Sequence, residues 1–283
     1  MEVRLKRRKL DALKRGVHRA SSDEALPIAT HVVGIGKAGA GAITEILRNL
    51  EPSAPRITAL AIDVGDQDLA ELRSLAGTLP PERAEVTTVA LDVPPREDLL
   101  DALHRYREFL TLEYPLYRWH SNDSSWLPPT IELPEAGGHV ERAVAKATYG
   151  YAYYSGPRAL ERALRRFAVG IEETRAQAVV AVVFGLGGGT GSGIAVDLAR
   201  HLSAGLFGRR VLVAGIGIAP CEGDEPVHRG GRLFAVLNEL DCLGDEGKNR
   251  GVVLSCGDLY KNPFTAGFLL VPQQHVWAAT KSL

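Results

Sequence analysis

A run of apolar, mostly β-branched residues leads directly into a glycine-rich loop, and this junction constrains the fold more than any other part of the sequence. The run covers residues 178–184, and the loop at residues 185–193 has glycine at six of its nine positions. A continuous β-branched run is typical of a central strand in a parallel sheet, because both faces of such a strand are buried. A strand, a glycine turn and a following helix together predict an α/β fold with the loop at the carboxyl end of the strand.

Strands and helices alternate along the rest of the chain. This alternation predicts a three-layer, Rossmann-like parallel sheet with helices on both faces. We expect further strands at residues 29–36, 57–62, 86–91, 210–218 and 251–255, helices at residues 42–50, 69–75, 158–174, 194–202 and 233–243, and a last helix within residues 266–280.

Length and composition favour one large intracellular domain. The chain has 283 residues and 45% apolar content, with no apolar run long enough for a membrane span and no signal-peptide pattern at its start. Cys221, Cys242 and Cys256 lack metal-ligand spacing and fit a reducing compartment. A net charge of -1 provides no general attraction for nucleic acid, so we expect a cytoplasmic protein without a nucleic-acid partner.

Two segments lie outside the strand–helix alternation. Residues 1–27 form a basic arm whose first twenty residues contain eight Lys or Arg. An apolar stripe in that arm is consistent with a helix that is solvated or docked on its own domain, or with one that binds a membrane surface. Residues 94–134 are rich in Pro and aromatics, which favours an elaborated loop inserted in the domain at residues 28–283, or a partner surface.

The glycine loop at residues 185–193 has the chemistry of an anion site. It lacks the Lys that a Walker loop carries after its last glycine, so it is not a P-loop of that class. Backbone N–H groups free of Cβ atoms can approach a phosphate, and the following helix contributes the positive end of its dipole. Thr190 and Ser192 add hydroxyl groups. The alternative is a glycine turn that only packs.

A second glycine loop occurs at residues 34–41, between the first strand and its helix. Alone, it matches the G-x-G-x-x-G pattern of NAD-binding Rossmann enzymes, with Asp63 near the position of the acid that binds the ribose. An NAD-dependent oxidoreductase is therefore an alternative function. It does not account for the glycine loop at residues 187–193.

The segment Gly-Gly-Gly-Thr-Gly-Ser-Gly at residues 187–193 resembles the signature loop of the tubulin and FtsZ superfamily of GTP-binding proteins. Residues 34–41 resemble the first nucleotide loop of that superfamily, with Lys37 replacing its usual Gly or Gln. Residues 61–69, 136–139 and 220–223 resemble its acidic, γ-phosphate and ribose loops in chain order. The resemblance implies GTP or GDP contacts from Gly36, Lys37, Ala38, Gly39, Asp63, Asp66, Gly137, Gly138, Gly187, Gly188, Gly189, Thr190, Gly191, Ser192, Glu222, Arg229, Arg232 and Asn238, with Asp63 and Asp66 also contacting Mg2+.

The resemblance also implies a role in assembly. A short FtsZ-like protein would associate with itself or with a homologous FtsZ-like protein, as a cytoskeletal or membrane-remodelling factor. The alternative is a nucleotide-sensing structural partner of a full-length homologue. The acidic synergy loop and second domain of the family are not recognised before Leu283. We therefore expect weak or partner-dependent GTP hydrolysis and assign no catalytic residue.

Overall fold

Six parallel strands form one sheet in the computed structural model, which describes residues 28–113, 127, 130–135, 138–155, 157–172 and 177–281. The strand order is β3-β2-β1-β4-β5-β6, and every neighbouring pair is parallel. The Rossmann-like fold class expected from the sequence is thus confirmed. The strands are β1 (Ile28–Ile35), β2 (Ile57–Val64), β3 (Ala84–Leu91), β4 (Gln177–Gly185), β5 (Leu212–Ala219) and β6 (Gly267–Pro272).

Nine α-helices lie within the described residues. Short 3-10 turns occur at Gln67–Leu69, Pro226–His228 and Asp258–Tyr260, and a π-helical turn occurs at His201–Leu206. The helices are α1 (Gly36–Arg48), α2 (Ala70–Ala76), α3 (Arg96–Glu113), α4 (Arg142–Tyr154), α5 (Ala159–Glu172), α6 (Gly189–Arg200), α7 (Gly231–Gly244), α8 (Glu246–Cys256) and α9 (Gln274–Thr280).

Alternate residues of the central strands bury their side chains in two separate cores. Val33 and Ile35 of β1 belong to the larger core, with buried residues of α3, α4, α5 and α6. Val32 faces the smaller core, beneath α1 and α2. Burial on both faces explains why the central strands have continuous apolar sequences.

The chain reverses its direction of travel across the sheet between β1 and β4. From β1 it passes outward to β2 and β3, and from β4 it passes the other way to β5 and β6. β1 and β4 pair in parallel along their length, from Ile28 opposite Gln177 to Ile35 opposite Phe184. Ligands of open α/β sheets bind outside the carboxyl ends of strands at such a switch point.

Two expectations near the end of the chain are wrong. The expected strand at residues 251–255 lies within α8, because the Asp245 side chain accepts hydrogen bonds from the N–H groups of Gly247 and Lys248 and so caps a helix. The expected helix at residues 266–280 is divided between β6, which pairs with β5, and α9. Pro272 ends β6, and a proline at that position would interrupt a helix running through it.

The segment at residues 94–134 is in part helical rather than an elaborated loop. Helix α3 covers Arg96–Glu113, and its Leu99 and Leu103 are buried in the larger core, as is Leu127. The segment therefore contributes to the core of the domain. The remaining residues at 114–126 and 128–129 lie outside the described part, as do the basic arm at residues 1–27 and Gly137.

Apolar side chains are exposed on the edge strand β6. Leu269 is 59% exposed and Leu270 is 49% exposed. Such an edge offers unpaired backbone groups beside an apolar surface. Within the described residues, no helix combines the length and the apolar content required to cross a membrane.

Candidate functional site

The first glycine loop is so short that α1 begins immediately after β1. Gly36 adopts a φ of +70°, which favours glycine, and is the first residue of the helix. A Cβ on Gly39 would lie 2.7 Å from the carbonyl oxygen of Val183, so the missing side chain lets α1 pack directly on β4. This close approach explains why α1 starts six residues before the expected helix at residue 42.

The two glycine loops lie in contact at the carboxyl edge. A Cβ on Gly36 would lie 3.3 Å from the backbone nitrogen of Gly191, and a Cβ on Gly185 would lie 3.2 Å from the Cβ of Ala38. The structure thus brings together the loops at residues 34–41 and 185–193, which are about 150 residues apart in the sequence.

Both helices that begin at these loops have uncapped N-termini. Neither Ile35, the N-cap of α1, nor Gly188, the N-cap of α6, provides a side-chain hydrogen bond, and neither helix has an acidic residue in its first turn. The first N–H groups of a helix have no partner within the helix itself. Two such N-termini side by side form a region of positive potential suited to an anion.

The signature loop is closely packed at Gly187 and Gly189 and open at Gly188 between them. A Cβ on Gly187 would collide with the carbonyl oxygen of His228, and one on Gly189 would collide with that of Val140. A Cβ on Gly188, between them, would meet no atom within 4 Å. Space for a ligand is therefore available above Gly188.

The hydroxyl groups of the signature loop have different surroundings. Ser192 is buried, and its hydroxyl donates a 2.5 Å hydrogen bond to the carbonyl oxygen of Gly188. That hydroxyl is engaged within its own helix. Thr190 is half-buried and its hydroxyl favours the charged form of Asp63, at the end of β2.

Asp63 is a buried acid beside these loops. Its Oδ1 accepts a 2.7 Å hydrogen bond from the N–H of Val64, while its Oδ2 is buried without a hydrogen-bond partner of good geometry among the described residues. Burial, and to a lesser degree the charge of Asp68, raises the pKa of Asp63 to about 6; the Val64 amide and the Thr190 hydroxyl act in the opposite direction.

Asp66, the other acid predicted to bind magnesium, is engaged elsewhere. Both of its oxygens accept hydrogen bonds from the Arg73 guanidinium, at 2.6 and 3.1 Å, and this contact lowers the pKa of Asp66. Within the described part of the chain, no three acidic, His or Cys side chains form a metal-binding group. Mg2+ prefers one or two carboxylates together with phosphate oxygens, which Asp63 fits better than Asp66.

Lys37 is free to bind an anion. It is exposed in the first turn of α1, and it has no ion pair or hydrogen bond from its side chain to any residue that the structure describes. Its ammonium group therefore adds an uncompensated positive charge beside the two uncapped helices.

The segment just after the predicted γ-phosphate loop contacts α7 through two ion pairs. Arg232 of α7 contacts Glu141 and the Nε2 of His139, and Glu239 of the same helix contacts Arg142. The Nε of Arg142 also donates a 3.2 Å hydrogen bond to the carbonyl oxygen of Ser192. Of the two glycines predicted to contact nucleotide here, Gly137 lies outside the described residues and Gly138 is exposed.

The residues predicted to contact the ribose and the base lie on the segment after β5 and on α7. Glu222 is exposed, and its backbone N–H donates a 2.9 Å hydrogen bond to the side chain of Gln274. Arg229 and Asn238 are exposed and have no side-chain hydrogen bond to another described residue. Of the two competing arginines, Arg232 is held against the γ-phosphate loop and Arg229 is free. Their roles toward a nucleotide stay predictions.

Sequence reasoning missed His228 as a neighbour of the signature loop. Its ring stacks on that of His139, with centroids 5.4 Å apart and an angle of 28° between the planes. A single histidine two residues after Pro226 carries no motif. Only the contact between its backbone and Gly187 indicates its position.

Comparison with known proteins identifies the family. A family model described as "Tubulin like" matches residues 32–245, which is more than half of the chain. The chain belongs to the tubulin-like family. Every predicted nucleotide contact of this tubulin-like chain, from Gly36 to Asn238, lies within the matched residues.

Several solved structures are similar to this tubulin-like chain at low identity. TubZ of Bacillus thuringiensis serovar israelensis, solved as a GTPγS-form protofilament, is 12% identical, with 98% of this chain and 55% of that chain covered and a TM-score of 0.49. CetZ from Methanosaeta thermophila is 14% identical, with coverages of 91% and 49% and a TM-score of 0.45. TubZ of Clostridium botulinum phage c-st is 15% identical, with coverages of 79% and 49% and a TM-score of 0.41.

The chain thus spans about half the length of these solved structures. No curated protein matches it.

Proposed function

We propose that this chain binds GTP and GDP at the carboxyl edge of the sheet, between β1 and β4. The observation that carries the proposal is the pair of uncapped helix N-termini, at Gly36 and Gly189, which two touching glycine loops bring together. Backbone N–H groups at such ends hold phosphate oxygens without an intervening Cβ. Membership of the tubulin-like family supports a guanine nucleotide as the ligand.

Each part of the site has a proposed contact. The signature loop at Gly188 and Thr190 would hold the phosphates, and Lys37 would add a positive charge to them. When Mg2+ is bound, it supplies charge neutralisation of the phosphates, and Asp63 is the acid that fits it. Glu222 and Arg229 would contact the ribose, and Asn238 would contact the guanine.

The NAD-dependent oxidoreductase is the weaker alternative. It leaves the signature loop at residues 187–193 without a role.

At the level of the cell, we propose an assembly protein. Membership of the tubulin-like family supports self-association, or association with a homologous FtsZ-like protein, in a cytoskeletal or membrane-remodelling structure. The basic arm at residues 1–27 is the candidate contact with a membrane surface. Sedimentation of the purified chain with GTP and with GDP tests self-association. Sedimentation with anionic vesicles tests the membrane contact.

The test of nucleotide binding is calorimetric titration with GTP, GDP, ATP and NAD. Gly188→Val places a branched side chain above the loop, where its Cβ would meet no protein atom within 4 Å, so we expect a loss of GTP affinity of at least about tenfold. Gly189→Val is unsuitable, because its Cβ would displace the backbone at Val140.

The matched control is Gly170→Val. Gly170 lies in α5, and a Cβ there would also meet no atom within 4 Å. We expect this variant to bind GTP like the original protein. Equal GTP affinity in folded Gly188→Val protein would refute the site, and preference for NAD over GTP would refute the ligand.

A further inference from the structure

Helix α5 has a row of arginines on its exposed side. Its other side packs into the larger core. Arg165 and Arg166 are exposed and follow the exposed Arg162 by three and four residues, so the three share one side of the helix. Arg158 is exposed just before α5, and its carbonyl oxygen accepts the N–H of Arg162. We call these four residues the arginine stripe.

Little negative charge balances the arginine stripe. Arg165 is paired with Glu161 at 2.5 Å, and the other three arginines have no ion pair or side-chain hydrogen bond to any residue that the structure describes. Four positive charges and one negative charge give a formal charge of +3. Glu172, at the end of α5, is already paired with Arg210. Because like charges four residues apart destabilise a helix, an anionic partner would relieve a repulsion within the stripe.

The basic arm and α5 both lead into the amino edge of the sheet. The arm at residues 1–27 is followed directly by Ile28, the first residue of β1, and α5 is followed by β4, which begins at Gln177. Ile28 and Gln177 lie opposite each other in the sheet. The ring of Phe167 in α5 also lies 6.4 Å from that of His31 in β1. The proposed nucleotide site lies at the opposite, carboxyl edge, and none of its proposed contacts belongs to α5.

A membrane surface fits the arginine stripe better than a small anion or a nucleic acid does. From Arg158 to Arg166 the stripe extends about 12 Å, at about 1.5 Å per residue, which is more than one phosphate group covers. Val169 follows on the same helix and is 47% exposed, and the headgroup region of a membrane accommodates such an apolar group. The net charge of -1 gives no general attraction for nucleic acid. Because the other side of α5 is buried, the contact would be electrostatic, without insertion of the helix.

We propose that the arginine stripe of α5 binds the anionic surface of a membrane, as a second contact in addition to the basic arm. This inference deepens the membrane contact of the proposed function and rests on it for the role of the arm. Each arginine near an anionic surface adds to the binding, so the stripe multiplies the affinity that the arm provides. The proposed nucleotide contacts lie at the other edge of the sheet, so GTP affinity is the same with and without a membrane.

The experiment is sedimentation of the full chain with vesicles of phosphatidylglycerol and phosphatidylcholine, or of phosphatidylcholine alone. We expect binding to the anionic vesicles only, and weaker binding as salt concentration rises. The Arg162→Gln/Arg166→Gln variant should bind at least about tenfold more weakly than the original protein. The Arg162→Lys/Arg166→Lys variant keeps both charges and should bind like the original protein, because a membrane surface requires charge rather than the geometry of a guanidinium.

The matched control is Arg105→Gln/Arg250→Gln, which removes two exposed arginines from α3 and α8 and changes the net charge by the same amount. It should bind anionic vesicles like the original protein. An equal loss of binding in the control and in the glutamine variant of the stripe would show that net charge is responsible, and the inference would be wrong.

Two further outcomes would overturn the inference. If the glutamine variant of the stripe binds anionic vesicles as tightly as the original protein, the arm alone makes the contact and the proposed function survives. If the original protein binds duplex DNA or polyglutamate more tightly than anionic vesicles, the partner is not a membrane. Titration of the same variants with GTP is the separate test of the nucleotide site, and a failure to bind GTP would leave the result with vesicles intact.

Discussion

At the scale of single residues, Asp63 is an acid whose surroundings in the site cost stability. Its carboxyl group is buried at the end of β2, and only one of its oxygens has a hydrogen bond of good geometry. Burying a charged acid in this way costs stability, and residues kept in such environments cluster at functional sites.

Replacing Asp63 with Asn should stabilise the nucleotide-free protein at neutral pH. The folded protein keeps the proton of Asp63 up to about pH 6, whereas the unfolded chain releases it near the ordinary pKa of 3.8. The free energy of unfolding therefore falls as pH rises between these values, and the difference corresponds to at most about 3 kcal/mol. Urea unfolding at pH 4 and pH 7.5 measures it.

Asp63→Asn should show a smaller decrease between these pH values than the original protein. The control is Asp92→Asn, which changes an exposed acid just after β3 and should leave the decrease intact. An unchanged pH dependence in Asp63→Asn would show that the buried carboxyl is not its source.

Lys37 should provide part of the charge that holds the phosphates. The group is exposed, unpaired within the described residues and located at the start of α1. We expect Lys37→Ala to lower GTP affinity about tenfold and EDTA to have a weak effect on the original protein. Loss of binding with EDTA, together with full binding by Lys37→Ala, would assign the charge to the metal instead.

At the scale of elements, α7 is held to the start of α4 by two ion pairs of opposite polarity. Glu141 and Arg142 are adjacent in the chain, and they contact Arg232 and Glu239 on one face of α7. Because Arg142 also bonds to the carbonyl of Ser192 in α6, three elements around the proposed phosphate site are joined. The start of α4 is therefore tied to both α6 and α7.

Glu239→Gln should weaken this junction measurably. The side chains of Arg142 and Glu239 are each only 24% exposed, so removal of one charge leaves the other partly buried without a partner. We expect a loss of about 1–2 kcal/mol in the free energy of unfolding, measured with urea. Asp241→Asn in the same helix removes a more exposed pair with Lys248 and should change little. Equal effects of the two variants would contradict a special role for the junction.

The sequence predicted the central elements better than those at the end of the chain. β4 and its signature loop could be recognised because burial on both faces leaves a continuous β-branched run. In α8, Val252 and Val253 suggested a strand, but the cap at Asp245 and the buried Asn249, which donates to the carbonyl of Tyr260, stabilise a helix. Local propensity is a weak guide when such contacts act against it.

The sequence likewise predicted only part of the candidate site. The glycines of both loops could be identified from motifs, whereas the stack of His139 on His228 depends on contacts between distant segments. The engagement of Asp66 by Arg73 follows from the geometry after β2, which the spacing of the acids does not reveal.

At the scale of the whole molecule, the purified 283-residue chain should hydrolyse GTP slowly. Phosphate binding alone does not orient a water molecule for in-line attack. Among the described acids predicted to contact nucleotide, Asp63 is buried, Asp66 is paired and Glu222 is exposed. We expect phosphate release well below about 1 per second. Faster release that increases with protein concentration would show that another group completes the site, with His139 the first to test by substitution.

The pairing of β1 with β4 also has a kinetic consequence. β1 ends at Ile35 and β4 begins at Gln177, so the centre of the sheet joins segments separated by about half of the chain. Contacts of such high contact order require closure of a long loop and form slowly. The proposed nucleotide site lies across this junction and would be completed late in folding. Bound GTP should therefore prolong the lifetime of the native state by slowing unfolding, while leaving the rate of refolding almost unchanged.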